Sequence, residues 1–399
     1  MRPSVRPPRR AFLASLAAVV AAPARAQLRN FLDPRTGPIF DPGRDTTGPL
    51  ALEPGVENAV FRGLLNGAPV RVLLDSGASL SIVDAGLARR LRLHGAEAQS
   101  VRDTAGLPTA GVQLSDVALR LPGLTFLQLA TVALDLSPLA ETGQEVPMIL
   151  GAEAFGRLVV ALDRARGTAS FSTPAAANPP PDWATVALRA DGARTRVLPL
   201  EAQGSHPIWA QFDLGSQSPL SASLAFAQAQ GWLSGKRVST WAAASVAGVT
   251  TERIATLEGV RLAGVALPPT PVELLERWDT PGAPLLAGYP LLSRFDLLAD
   301  YPADRLSLKP GAGVGAAFRR DRSGLVLRPL ASGGAEVIHV AAGSPAAQAG
   351  WRPGETVLAA RDAQGRLLGE GWGFGPPGER VTLSTEGGGA RSLTLADYF

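Results

Sequence analysis

Two short acidic motifs carry the residues best suited to chemistry. Asp75 and Asp213 each end an apolar segment, and each is followed two residues later by glycine. One Asp-x-Gly alone is ordinary turn sequence. If the fold brings the two motifs together, however, both carboxyl groups cannot ionise cheaply, and the pair holds one shared proton. The ionised carboxylate then accepts a proton from a water molecule, and the protonated one donates to a carbonyl oxygen, which is the chemistry of amide hydrolysis.

The motifs belong to a longer internal repeat. The apolar segments that end at Gly151 and Gly288 follow the two aspartates by 76 and 75 residues. From each glycine it is 12 residues to a further aspartate, and seven more to a serine. The matched positions are Asp163 and Asp300, then Ser170 and Ser307. This spacing predicts a duplicated β lobe, and a pseudo-twofold axis between two lobes would bring the two acidic loops face to face.

The elements that must position these loops are predicted to be strands. Residues 61–65 and 70–74 flank Asn66-Gly67, which is a strong signal for a two-residue hairpin. Helical windows are few, and the clearest are 84–93 and 223–231. We therefore expect a mainly β protein with two homologous lobes.

Proline- and glycine-rich breaks at 174–182 and 310–317 predict linkers. With the amino-terminal features they divide the chain into five parts. These are an export signal (1–26), an extended and partly disordered arm (27–54), a first lobe (55–173), a second lobe (183–309) and a C-terminal domain (318–399).

Residues 55–308 resemble the retropepsin-like aspartic proteases, in a two-lobed single-chain form. The resemblance rests on the motif at 75–79 and on the later apolar-apolar-glycine at 149–151 and 285–288. It implies that Asp75 and Asp213 are catalytic, that peptides are the substrates, and that no cofactor, metal or dimer is needed. Further residues expected to support the active-site loops are Ser76, Gly77, Ala78, Gly215, Ser216, Gly151 and Gly288. Flexible flaps are expected at 102–111 and 241–250, with Gly106 and Gly248 at their tips.

The second lobe departs from this family. Its members place Ser or Thr directly after the aspartate to brace the opposite loop, and Ser76 fits this pattern whereas Leu214 does not. Ala287 also replaces one of the bulky residues before Gly288. Ser216, one position after Gly215, is expected to donate a hydrogen bond to the Asp213 carboxylate instead. The alternative to a protease is therefore a noncatalytic peptide-binding or scaffold protein with a degenerate cleft.

Residues 318–399 resemble a PDZ domain of the bacterial envelope type. Ser344 and Pro345 open a short helix that Gly350 ends, with Pro-Gly-Glu close behind. In that family an extended peptide adds as a strand beside a loop and strand, which correspond here to Gly324, Leu325, Val326 and Leu327. The second wall of the groove is usually a helix, but four glycines between 365 and 377 disfavour one.

The composition limits partners and location. The net charge is +3, but five arginines and no acidic residue lie in residues 1–26, so the remainder carries −2 and gives no reason to expect a nucleic-acid partner. A basic stretch, the apolar run 11–22 and Ala24-Arg25-Ala26 are typical of a cleaved export signal, and Arg9-Arg10 suggests the twin-arginine type. We expect a periplasmic or secreted monomer without a membrane span in its mature form.

Other catalytic classes fit poorly. The chain has no cysteine, and its three histidines (His94, His206 and His339) form no His-Glu-x-x-His motif, which argues against a zinc hydrolase. No Gly-x-Ser-x-Gly elbow is present. The glycine-rich segment 311–316 lacks the helix and crossover strand of a dinucleotide-binding fold and is predicted to be linker.

Overall fold

The computed structural model describes residues 18–20, 37–141, 146–192, 194–280, 282–369 and 371–399. Strands dominate in this part of the chain, and the larger sheets curl as in the acid proteases, so the prediction of a mainly β fold is confirmed. The predicted export signal lies outside the described residues except for Ala18–Val20, which forms strand β1 beside the first flap region.

The first lobe is built on one curled sheet. The strands of this lobe, including three that belong to a second sheet (β3, β13 and β14), are β2 (Gly37–Phe40), β3 (Leu50–Ala51), β4 (Val60–Leu65), β5 (Ala68–Leu74), β6 (Ser81–Asp84), β7 (His94–Asp103), β8 (Pro108–Ser115), β9 (Leu119–Leu121), β10 (Leu124–Leu127), β11 (Thr131–Leu134), β12 (Met148–Leu150), β13 (Val159–Asp163) and β14 (Thr168–Ser172). Helices α1 (Ala85–Arg90) and α2 (Ser137–Glu141) and a 3₁₀ turn at Ala152–Ala154 connect them.

The second lobe follows the same plan. Its elements are β15 (Ala184–Ala187), β16 (Arg189–Ala190), β17 (Arg196–Glu201), β18 (Ile208–Asp213), β19 (Leu220–Ser223), α3 (Leu224–Ala229), β20 (Ser239–Ser245), β21 (Gly248–Leu257), β22 (Arg261–Leu262), β23 (Val265–Ala266), β24 (Thr270–Leu275), β25 (Leu285–Gly288), α4 (Tyr289–Leu292), β26 (Phe295–Asp300) and β27 (Arg305–Pro310).

The strand order shows the duplication directly. The first sheet runs β7-β8-β11-β6-β12-β5-β4-β9-β10, with β1 and β2 at its ends. The second runs β20-β21-β24-β19-β25-β18-β17-β22-β23, which is the same order element for element. In each lobe the strand that leads to the aspartate, β5 or β18, pairs in parallel with the strand of the late glycine motif, β12 or β25. The sequence repeat therefore reflects a structural repeat.

A separate sheet joins the lobes. It runs β15-β27-β26-β13-β14-β3, and β13 pairs antiparallel with its counterpart β26 in the middle. This pairing places the pseudo-twofold axis between the matched strands. A continuous apolar core spans both lobes beneath it, with Phe155 packed against Tyr301 at a ring-centroid distance of 5.0 Å. The two lobes are thus held in one fixed relation, which is what two facing loops require.

Local sequence explains the connections. Asn66 (φ 45°) and Gly67 (φ 85°) form the tight turn between β4 and β5, a geometry that these two residue types tolerate best. Asp84 and Ser223 cap the matched helices α1 and α3 by accepting from the amides of Leu87 and Phe226. The predicted helices therefore form at the expected places in both lobes.

The C-terminal segment forms a sheet of its own. Its elements are β28 (Leu325–Pro329), β29 (Ala335–Val340), α5 (Pro345–Gln348), β30 (Thr356–Arg361), β31 (Arg380–Thr385) and β32 (Ala390–Thr394), with a 3₁₀ turn at Trp372–Phe374. Strand β28 lies at the edge of this sheet. The Ser344 hydroxyl caps α5 by accepting from Ala347 N, as its sequence predicts.

The described part of the predicted arm, residues 37–54, carries two short strands. Residues 37–40 add β2 to the first sheet, and residues 50–51 add β3 to the joining sheet. No helix within the described ranges is both long and apolar enough to pass through a bilayer.

Candidate active site

The two aspartates lie in matched loops at the centre of the molecule. In each loop the Oδ1 atom accepts from two backbone amides of its own loop. For Asp75 the donors are Gly77 N (2.8 Å) and Ala78 N (3.0 Å). For Asp213 they are Gly215 N (2.8 Å) and Ser216 N (3.0 Å). These bonds hold each carboxyl group in a defined orientation.

The glycines after the aspartates are required by the close approach of the loops. A Cβ atom at Gly77 would lie 2.4 Å from Asp213 Cγ, and one at Gly215 would lie 2.2 Å from Asp75 Cγ. Any side chain at either position would therefore displace the opposite carboxyl group. This contact brings the aspartates of the two lobes together, as the sequence repeat predicts.

The late glycines support the loops from behind, again in matched fashion. A Cβ atom at Gly151 would lie 2.6 Å from Leu80 O, and one at Gly288 would lie 2.0 Å from Ser218 O. Leu80 and Ser218 each stand five residues after their aspartate. Ala287, unusual in sequence, is fully buried in β25 and leaves this packing intact.

The environment of the pair favours one shared proton. Both aspartates are fully buried, each carboxyl group lies against the glycine of the opposite loop, and neither Oδ2 atom has a hydrogen-bond donor in the described part of the chain. Burial and the neighbouring Asp213 charge raise the pKa of Asp75 well above its usual value. Burial raises the pKa of Asp213 to about 6, against the lowering effect of its amide donors. One proton between the two groups satisfies both Oδ2 atoms.

Ser76 braces the loop of the opposite lobe. Its hydroxyl donates to Phe212 O (2.8 Å) and accepts from Leu214 N (2.9 Å). Leu214, by contrast, is fully buried in the shared apolar core and returns no such bond. The brace is therefore made from the first lobe only.

A residue that the sequence analysis missed provides a second link. Asn58 Nδ2 donates to Gly215 O (2.9 Å) and, more weakly, to Leu214 O (3.4 Å), and Gln217 Nε2 donates to Asn58 Oδ1 (2.6 Å). Asn58 comes from the loop before β4, so it ties the first lobe to the Asp213 loop from the other side. A lone asparagine in a polar loop gives no sequence signal for this role.

Ser216 donates to Asp213 through its backbone amide. The distance from Ser216 N to Asp213 Oδ1 is 3.0 Å, and the Ser216 hydroxyl accepts from Ser218 N at 3.3 Å. The loop turns tightly enough for two consecutive amides, those of Gly215 and Ser216, to reach the same carboxylate oxygen.

Two hairpins, one from each lobe, contact each other near their tips. The first, β7–β8, turns at Gly106 (φ 75°), and the second, β20–β21, turns just before Gly248 (φ 122°), close to the predicted flap tips. Ser245 Oγ donates to Asp103 Oδ2 at 2.7 Å, and Thr109 Oγ1 donates to Val246 O at 3.3 Å. These bonds join the two hairpins across the lobes.

Apolar packing also joins the second hairpin to the first lobe. Val246, at the tip of the second hairpin, is buried in an apolar cluster of the first lobe that includes Val101, Leu136 and Leu139. The second hairpin is therefore anchored to the first lobe by apolar as well as polar contacts.

The predicted peptide-binding residues of the C-terminal segment lie away from the dyad. Gly324 precedes β28, and Leu325–Leu327 form its first part, at the sheet edge. Trp241 of the second hairpin lines the adjoining groove and packs in one cluster with Val326. Asp321 already accepts from the amides of Ser323 and Gly324 in the loop beside it.

Comparison with known proteins agrees with this geometry in the first lobe. Residues 61–154, which contain Asp75 and Gly151, match a family model described as aspartyl protease. The basic 7S globulin from soybean is similar in structure over 69% of this chain and 95% of its own, at 12% identity and a TM-score of 0.39. No curated protein sequence matches the chain. The family match supports an aspartyl-protease-type domain.

Proposed function

We propose that this chain is an aspartic endopeptidase in which Asp75 and Asp213 together activate a water molecule. The observation that carries the proposal is the mutual contact of two buried carboxyl groups, each oriented by two amides and short of one donor. Such a pair supplies an acid and a base at one point.

The two aspartates share the roles of acid and base. Burial raises the pKa of both groups, so one aspartic acid keeps the shared proton and acts as the acid towards the scissile carbonyl oxygen. The other, ionised aspartate acts as the base that accepts a proton from water. After attack, the base passes this proton to the leaving amine, the other carboxylate takes back the proton of the hydroxyl group, and the peptide C–N bond breaks.

The closed hairpins fit this chemistry. A cleft that buries both aspartates excludes bulk water and strengthens the electrostatic interactions at the reacting centre. A polypeptide substrate enters when the contacts of Asp103 with Ser245 and of Val246 with the first lobe open. Closure then commits the bound segment to hydrolysis.

We further propose that the protein acts after export, in the periplasm or outside the cell, and that its C-terminal segment is a PDZ-type domain that docks an extended peptide. The basic and apolar pattern of residues 1–26 supports export. The position of β28 at a sheet edge supports docking, because an edge strand can pair with a further strand. Leu327→Pro, which removes a backbone donor from the free side of this edge, is expected to abolish peptide binding there; unchanged binding would contradict the docking proposal.

The protease proposal is tested with a mixed peptide library. The chain is incubated with the library between pH 3 and 8, and fragments are identified by mass spectrometry. Internal cleavage is expected, together with inhibition by a statine-containing peptide that mimics the tetrahedral intermediate and none by a metal chelator. A folded chain that binds peptides but leaves them intact would instead favour the noncatalytic alternative, for which the missing brace at Leu214 is the structural argument.

A further inference from the structure

A cavity of about 280 Å³ lies outside the dyad, where the two lobes meet the C-terminal segment. Glu57 of the first lobe's amino-terminal loop, Gln217 of the Asp213 loop and Arg319 of the C-terminal segment all line it. Neither Asp75 nor Asp213 does. Its volume suits a molecule of one or two amino-acid residues.

The charge around this cavity is unbalanced. Three arginines and one acid line it, and the acid, Glu57, pairs with Arg319 at 2.5 Å. Arg164 instead donates to Ser293 O (3.1 Å) and Tyr289 OH (2.6 Å). Neither Arg164 nor Arg294 forms an ion pair within the described ranges. Two positive charges therefore remain without an acidic partner.

Arg294 is held by groups that do not neutralise it. It donates to the carbonyl oxygens of Val314 (2.8 Å) and Ala316 (2.6 Å), and its guanidinium lies 3.6 Å from the centre of the Phe318 ring. Burial lowers the pKa of Arg294, as expected for a cation removed from water without a counter-ion. An anion bound in the cavity would supply the negative charge that these contacts lack.

Most of the remaining wall is apolar. The rings of Tyr289, Phe318 and Phe374 line the cavity, together with Pro219 and Pro290. A strongly hydrated anion such as sulfate would lose its water against these surfaces without compensation. An anionic group attached to an apolar body would pair with the arginines and also pack against the apolar side chains.

We propose that this cavity is a binding site for a small carboxylate on an apolar, preferably aromatic, body, with Arg164 and Arg294 holding the carboxylate. A free N-acyl amino acid and the C-terminal residue of a peptide share this chemistry. The site adjoins the catalytic loop, because Gln217 in its wall donates to Asn58, which in turn donates to Gly215 O. These hydrogen bonds couple ligand binding in the cavity to the position of the Asp213 loop.

The test measures binding by calorimetry on the full chain carrying Asp75→Asn, so that no probe is consumed and the result does not depend on catalysis. The probes are N-acetyl-L-phenylalanine, its amide, and a pentapeptide ending in phenylalanine with a free or amidated C-terminus. The free acid is expected to bind at least about tenfold more tightly than its amide, because the amide loses the charge-assisted bonds. Binding of the pentapeptide acid would identify a peptide C-terminus as the ligand, and its exclusion would identify a free small acid.

Matched variants locate the site. Arg164→Gln is expected to weaken binding of the acid about tenfold or more, with Arg164→Lys intermediate because it keeps the charge but loses the planar fork. Arg166→Gln is the control, since Arg166 lies on the same turn but pairs with Asp163 at the surface. Equal binding of acid and amide, equal competition by sulfate, or no effect of Arg164→Gln in a folded variant would overturn the proposal.

Discussion

The Ser76 hydroxyl binds two backbone groups of the opposite lobe at once, accepting from Leu214 N at 2.9 Å while it donates to Phe212 O at 2.8 Å. In a symmetric pair of loops, residue 214 would return the same contacts. Because leucine cannot, the Asp213 loop depends on Ser76 and on Asn58, both from the first lobe. The stability of the dyad is therefore concentrated in a few hydrogen bonds.

Removing the Ser76 hydroxyl should be costly. Ser76→Ala leaves Phe212 O and Leu214 N without a partner in a buried site, and we expect a loss of about 2 kcal/mol in the free energy of unfolding and at least a tenfold fall in peptide cleavage. Ser218→Ala is the control, because Ser218 is equally buried but its hydroxyl donates to Leu220 O in its own lobe. Denaturant unfolding and cleavage rates measure both effects. Equal losses of stability and of cleavage rate in the two variants would contradict the role of Ser76 in bracing the Asp213 loop.

Asn58→Asp should impair the site although it preserves shape. A carboxylate cannot donate to Gly215 O, and a negative charge near Asp213 raises the pKa of that aspartate further. We expect lower cleavage and a shift of the acid limb of the pH–rate profile from about pH 6 to higher pH. Asn66→Asp, in the exposed turn between β4 and β5, serves as the control. An unshifted profile in Asn58→Asp would argue against its contact with the catalytic loop.

Stability should fall as pH rises, because of a buried glutamate behind the first loop. Burial raises the pKa of Glu153 from about 4.5 to about 7, although Ser81 donates to it through its backbone amide (3.0 Å) and its hydroxyl. The folded state therefore holds a proton that the unfolded state releases between about pH 4.5 and 7, and the free energy of unfolding declines across this window.

The size of this decline follows from the shift in pKa. A rise of this size in the pKa of Glu153 lowers the free energy of unfolding by up to about 3 kcal/mol by neutral pH. Glu153→Gln, which keeps the acceptor for Ser81, should flatten the curve. Denaturant titrations at several pH values measure the free energy of unfolding. If the stability of the wild-type chain rises from pH 4.5 to 7 in parallel with that of the variant, Glu153 does not determine the pH dependence.

The contact between the hairpins should limit access to the cleft. Ser245→Ala removes the donor to Asp103 Oδ2, so we expect the hairpins to separate more often and a statine-containing inhibitor to associate several-fold faster. Association rates from stopped-flow fluorescence measure this. Ser384→Ala, in β31 of the C-terminal segment, is the control. If Ser245→Ala leaves the association rate unchanged, the hairpin contact does not gate entry.

Much of the fold could be predicted from local sequence. The turn at 66–67 needs two residues that accept positive φ, and Asn-Gly supplies them. The repeat of Asp-x-Gly and of the late glycines is visible because each position is required by a steric contact that only glycine permits, at Gly77 and Gly215 above all. Such local and steric constraints leave a direct trace in the sequence.

The missed features depend on the relation between the lobes. Asn58 bonds a carbonyl 157 residues away, and Ser245 bonds a carboxylate 142 residues away. Nothing near either residue indicates its partner, since the contact exists only once the joining sheet has fixed the lobes. The cavity beside Arg164 and Arg294 escaped sequence analysis for the same reason, because its walls come from distant segments.

The most direct test of the proposed dyad compares cleavage of the best library peptide by the wild-type chain with cleavage by Asp75→Asn and Asp213→Asn. The matched control is Asp116→Asn, at an exposed turn with φ 57°, where asparagine is well tolerated. We predict that each dyad variant loses at least about a thousandfold in kcat while remaining folded, and that the control keeps full activity. Cleavage that survives in either dyad variant would contradict the shared-proton mechanism.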